Sequence, residues 1–157
     1  VQPLPFAQMR DDYPLLTGRG YPDTVNPDPL APPPQNGQFL NNGDSSPLES
    51  SLITPAQGDR ILLRISNLNV TRFYTLASLG IPMQVIGKDA KHQRGPDGKD
   101  LYHTTNSVTL GGGEAIDVIL DTKGVAPGTY FLYTTNLQYL SNNQDDFGGM
   151  MTEIRIN

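Results

Sequence analysis

Histidine, cysteine and paired carboxylates are the side chains that most often carry metal or acid–base chemistry, and this sequence offers few of them. It has two histidines, His92 and His103, eleven residues apart in and beside one polar stretch. Neither helical nor strand spacing would gather them on one ion, so they read as solvent-exposed loop residues. Cysteine is absent, which excludes disulfides, thiolate metal sites and a cysteine nucleophile. Asp145 and Asp146 lie in the oxygen-rich run SNNQDDFGG, but a calcium loop's ligand spacing and distal glutamate are missing. A solvated loop is expected there. Glu114, Asp117 and Asp121 share one strand-like segment. Glu114 and Asp121 are an odd number of residues apart and fall on opposite faces of a strand, as outer-face or strand-end charges do and an acid–base pair does not. No G-x-S-x-G motif is present, and no histidine is placed to activate a serine or threonine. Gly111-Gly112-Gly113 lacks the lysine and hydroxyl residue of a phosphate loop and precedes β-patterned sequence, so it reads as a turn. Asn69-Val70-Thr71 matches a glycan acceptor, which matters only in a eukaryotic secretory setting. From the residues alone, no active site is recognisable.

The elements that would position these residues are short strands. With 157 residues, 14 Pro and 16 Gly, the chain suits one turn-rich domain with an arm. A net charge of −5 disfavours nucleic acid and anionic membranes as partners. No apolar run approaches the roughly 20 residues of a membrane-spanning helix. Residues 1–47 read as an extended arm, with Pro32, Pro33 and Pro34 favouring polyproline geometry. Residues 48–157 read as the domain. DRILLRISN alternates with a period of two, placing Ile61, Leu63 and Ile65 on one face. RFYTLASL and PMQVIG follow, then a polar loop with a Gly-Pro-Asp-Gly turn. NSVTL and EAIDVILD read as a strand pair around the glycine turn, and Ala126-Pro127-Gly128-Thr129 as a type II turn launching TYFLYTT. MTEIRI closes the chain. Seven or eight strands and no sustained helical period predict an all-β Greek-key sandwich or barrel. The expected core is Ile61, Leu63, Ile65, Ile116, Val118, Leu120, Tyr130, Leu132, Ile154 and Ile156.

Several of these words, in this order, resemble the cupredoxin-like domains of multicopper oxidases. SSLITPAQGDRILLRISNLNVTRFYTLASLGIPMQVIGKDA resembles the family's succession of a basic-apolar strand, Arg-x-x-Asn, an aromatic strand and a segment ending in Asp. VTLGGGEAIDVILD, APGTYFLYTTN and GGMMTEIRI resemble three later family segments, and DDYPLLTGRGYPD resembles the inter-domain stretch. The resemblance implies a cupredoxin-like Greek-key sandwich with an extended N-terminal arm. In copper-bearing family domains, the strand after Gly-Thr-Tyr ends in His-x-His or His-Cys-His, the ligands of the type 1 and trinuclear centres. Here those positions read Thr134, Thr135 and Asn136. Their hard oxygen donors suit copper poorly. Met150 and Met151 lie near the position of the family's axial methionine, but a thioether alone does not make a blue copper site.

The resemblance therefore implies the ligand-free middle domain of a three-domain enzyme, with no cofactor of its own and copper in the parent's other domains. Its partners would be the neighbouring cupredoxin domains, with no nucleic acid and no membrane insertion. The parent would oxidise a reductant one electron at a time and reduce dioxygen to water, outside the cytoplasm: extracellular, periplasmic or on the cell surface. The start at Val1 and the mid-protein character of VQPLPF lead us to expect a fragment or a processed product. Two other readings stand beside this one. A free-standing module could bind carbohydrate or protein through Tyr133, Tyr139 and Phe147. A degenerate enzyme could keep a weak copper site at His92 and His103.

Overall fold

The structure of the chain, a computed structural model, describes residues 11–29, 50–143 and 145–157. The proline-rich part of the expected arm, including Pro32, Pro33 and Pro34, lies outside them. So do Gln144 and the side chain of Asp145.

The strands are β1 (Arg60–Ser66), β2 (Tyr74–Leu79), β3 (Met83–Lys88), β4 (Lys91–His92), β5 (His103–Thr105), β6 (Ser107–Leu110), β7 (Ala115–Asp121), β8 (Gly128–Thr134), β9 (Ser141–Asn142), β10 (Asp145–Gly148) and β11 (Met151–Ile156). They form two main antiparallel sheets. One runs β1-β7-β3-β4, with β5 also on β3; the other runs β11-β8-β2-β6. The chain hops between sheets from β1 to β2, β2 to β3, β5 to β6, β6 to β7 and β7 to β8. The expected all-β sandwich is thus observed.

Side-chain alternation explains the core. In register, Ile61, Leu63 and Ile65 of β1 face Leu120, Val118 and Ile116 of β7. On β7 those inward residues are buried, while the alternate positions are more open. Ile116, Val118, Leu120, Leu132, Ile154 and Ile156 are all buried as expected. Ile61, Leu63, Ile65 and Tyr130 pack against the core but are only partly buried. For the three on β1 the reason is position: β1 is the edge of its sheet. The core also takes in Leu76, Ile81, Met83, Val108, Leu110 and Met150.

Two turn expectations need correction. β6 and β7 lie in different sheets and do not pair. The glycine turn between them carries the chain across the sandwich, and a Cβ on Gly112 would overlap the Asn69 carbonyl. Before β8, the hydrogen-bonded turn is Thr122–Val125, with Val125 N–H donating to the Thr122 carbonyl at 3.0 Å. Gly124 supplies the positive φ of +79° that it needs. The Gly-Pro-Asp-Gly turn forms as expected, with Gly98 N–H on the Gly95 carbonyl.

Residues 11–29 pack onto the domain. Gly20 passes so close to the Gly148 carbonyl that a Cβ there would overlap it. Tyr21 N–H donates to the Gly149 carbonyl at 2.9 Å, and the Thr24 hydroxyl to the Met151 carbonyl at 2.7 Å. The buried Arg19 shapes this stretch from within. Its Nη1 donates to the carbonyls of Asp23 (3.2 Å) and Asn26 (2.6 Å), and its Nη2 to that of Asp28 (3.1 Å). The free edge of β11 is covered by the segment after Ser50: Ile53 N–H donates to the Glu153 carbonyl, and Arg155 N–H to the Ile53 carbonyl.

Replacing Arg19 with Met strips the fork from those carbonyls. The expected cost is about 2–4 kcal/mol in denaturant unfolding. Arg19→Lys should recover less than half of it, because one ammonium cannot span three acceptors in a planar fork.

Candidate functional site

The three positions that the sequence resemblance singled out end β8 and enter the following loop, and they diverge. Thr134 is the last residue of β8 and points inward. It is fully buried, and its Oγ1 has no hydrogen-bond partner. Thr135 is exposed, its N–H held by the Thr75 carbonyl at 3.0 Å. Asn136 is also exposed and caps the 3-10 turn Leu137–Leu140, its Oδ1 accepting from Gln138 N–H at 3.2 Å. Met150 is buried in the core, with its carbonyl on Thr134 N–H at 3.0 Å. Met151 begins β11 opposite Tyr133. One enclosed hydroxyl, two outward oxygen-bearing side chains and a core thioether make a donor set that does not fit a copper ion.

The histidines are exposed, as the sequence suggested, but they lie on strands and not in a loop: His92 ends β4 and His103 begins β5. Spacing alone did not show that both stand beside β3, His103 opposite Val85 and His92 opposite Gly87. A bulge in the β3–β7 pairing falls between Val85 and Gly87. His92 Nε2 lies 2.6 Å from the Tyr102 hydroxyl, with the two rings edge to face. Among the described residues no group of three or more His, Cys, Asp or Glu side chains gathers as a metal site would need.

The carboxylates of β7 and its approach are spoken for by neighbours. Asp117 lies 3.9 Å from Arg64 on the outer face of the first sheet. Glu114 accepts from Gly111 N–H at 2.6 Å and pairs with Lys88 at 3.4 Å. The Gly111 amide, then Lys88, lowers the pKa of Glu114 from its ordinary value. Gly111–Gly113 form a turn, as expected, with no helix behind it.

The aromatic trio does not make one platform. Tyr133 faces outward from the second sheet, in register with Ala77. Tyr139 instead packs edge to face on Tyr74, with ring centroids 5.2 Å apart. Phe147 is exposed on β10.

The most connected polar cluster was not singled out from sequence. Asp11 accepts from Asn69 Nδ2 at 2.7 Å and from the Tyr74 hydroxyl at 3.2 Å, and lies 3.7 Å from Arg72 Nε. Asn69 Oδ1 accepts from the backbone of Thr71 and Arg72, so both ends of this sequon side chain are engaged. Burial, then the Asp11 charge, pushes the Tyr74 phenol up to about 12. Asn67, from the Arg-x-x-Asn pattern, donates to the carbonyls of Leu110 (2.8 Å) and Arg72 (3.1 Å). The cluster fastens residues 11–18 over a cavity of about 920 Å³ whose walls include Leu63, Ile65, Leu110 and Met150.

The sequence pattern of the multicopper oxidase family matches residues 12–154. No curated protein matches. Among solved structures, the chain is similar to the blue copper oxidase from Nitrosomonas europaea, at 25% identity and a TM-score of 0.55, over 66% of this chain and 30% of that one. It shares its fold with the multicopper oxidase mgLAC, at 21% identity and a TM-score of 0.58, over 67% and 30% of the two chains. A mutant form of the laccase from B. aclada matches at 21% identity and a TM-score of 0.53, over 80% and 24%. The chain thus spans less than a third of the length of each of these proteins.

Two outcomes follow from the site. Thr134→Val removes a buried hydroxyl without a partner and keeps its shape, so stability should hold or rise by up to about 1 kcal/mol in urea unfolding. Glu114 has its pKa lowered by folding, so its contribution is present above the ordinary glutamate value near 4.3 and is lost as pH falls through the lowered one. Wild type should therefore exceed Glu114→Gln in stability at pH 6, and the gap should close below about pH 4, read by thermal unfolding across that range.

Proposed function

Because the chain belongs to the multicopper oxidase family, we propose that it is a structural cupredoxin-like domain that binds no copper and spaces the copper-bearing domains of a longer parent. The observation that carries this reading is the replacement at the end of β8. By the resemblance, Thr134, Thr135 and Asn136 stand where copper-bearing family domains hold imidazole or thiolate, and in this chain Thr134 is buried while Asn136 caps the turn that follows. The similarity to about 30% of a blue copper oxidase supports a domain-sized part of a longer enzyme. In that parent, copper resides in neighbouring cupredoxin domains, which take electrons singly from a reducing substrate and pass them to dioxygen to form water. The domain sets the distance and angle between its neighbours. We place the parent outside the cytoplasm, as the resemblance implies. Residues 1–47 serve as the connection and 48–157 as the body, with residues 11–29 of the connection docked on it.

The test is copper content. After loading with copper and desalting, the chain should hold well under 0.1 copper per molecule, roughly background for a chain without a soft or imidazole ligand set. It should show no blue absorption band and no type 1 electron paramagnetic resonance signal. One tightly held copper per chain would overturn the reading. Loss of that copper in His92→Ala or His103→Ala would then identify the ligands.

A further inference from the structure

The two sheets turn unlike outer faces to their surroundings. On the β1-β7-β3 sheet, outward positions carry charge around the apolar pair Leu62 and Ile119: Arg60 stands opposite Asp121, Arg64 pairs with Asp117, and Lys88 pairs with Glu114. On the other sheet, outward positions of β8, β2 and β6 carry none. Phe131 lies in register with Leu79, Tyr133 with Ala77, and Ala77 with Ser107. Thr75 lies opposite Thr109, their hydroxyls bonded to each other at 2.8 Å. This pairing lowers the cost of taking both hydroxyls out of water. Leu79 is 60% exposed, Phe131 and Tyr133 are partly buried, and the small Ala77 between them is buried. Charge returns only on β11, where Glu153 and Arg155 pair with each other at 2.7 Å beside Tyr21 of the arm.

Resting on the spacer reading above, we propose that the outer face of β8, β2 and β6 is the surface on which a neighbouring cupredoxin domain of the same parent chain docks. Depletion of charge with aromatic side chains on the face matches the composition of an interface core. Size selects a neighbour in the same chain over a second copy. Three strands at ~4.8 Å spacing and about six residues at ~3.3 Å rise give a face of about 300 Å². Both partners together would bury roughly 600 Å², within the ~600–1,500 Å² of contacts between domains of one chain. A stable complex of free chains needs ~1,200–2,000 Å². Covalent linkage raises the effective concentration enough for the smaller contact to hold. Leu68, Val70 and Phe73 are also exposed, but they share a loop with Arg72, which is ion-paired to Asp11.

Hydroxyl-radical footprinting tests this by comparing the 157-residue chain with the complete parent chain. Phe131, Tyr133 and Leu79 should be modified at least about fivefold more slowly in the parent, while Leu62 and Ile119 on the charged sheet keep their rates. Protection of Leu62 and Ile119 alone, or of Leu68 and Phe73 alone, would overturn the proposed face and leave the spacer reading standing. A parent without further cupredoxin domains would sink the spacer reading itself, and the inference with it. Protection of Phe131 in the short chain that grows with its concentration, and is abolished by Tyr133→Glu, would assign the face to a second copy and overturn the proposal.

Discussion

The burial of Ile116, Val118 and Leu120 along β7 is the constraint on which the rest of the molecule depends. These side chains face one way because a strand alternates with a period of two, and they are almost sealed from water. β7 pairs with β1 on one side and β3 on the other, so its register sets both neighbours. A slip of one residue would turn Asp117 and Asp121 inward and Val118 outward, at the cost of stranded charges. With β7 in place, its entry brings the Gly111–Gly113 turn against the Asn69 carbonyl, and the 67–73 loop follows. That loop holds Asp11.

Much of this was legible in the sequence, because alternation is local. DRILLRISN and EAIDVILD announce strands and their inward faces without knowledge of the rest of the chain. What alternation cannot say is which sheet a strand joins. The glycine turn between β6 and β7 looks like a hairpin until the contact of Gly112 with a distant carbonyl is known. Edge position was equally hidden, so Ile61, Leu63 and Ile65 point as expected yet keep part of their surface. Core members such as Met83 and Met150 follow no alternation with charged neighbours, so nothing local marks them as inward.

The candidate site was legible in a different way. The proposed substitution at Thr134, Thr135 and Asn136 rests on a family pattern alone, since threonine and asparagine at a strand end are otherwise unremarked. Their divergence required coordinates. The polar cluster at Asp11 joins residues 58 and 63 positions apart in sequence. No local motif marks such a cluster, and Arg19 is likewise anonymous in sequence although it organises its own stretch of chain.

The covering of β11 also bears on how copies of the chain could meet. Sandwich domains can form dimers by trading a terminal strand, a route that needs little new contact surface. Here the last strand is held on both flanks: by β8 on one side and by the Ile53–Gln57 segment on the other, down to Asn157, which bonds with both Pro55 and Gln57. To leave, β11 must break two sets of backbone pairing together and expose Ile154 and Ile156 to water. Pairing on both flanks therefore sets a high barrier to opening this strand, and any exchange of it between copies would be slow.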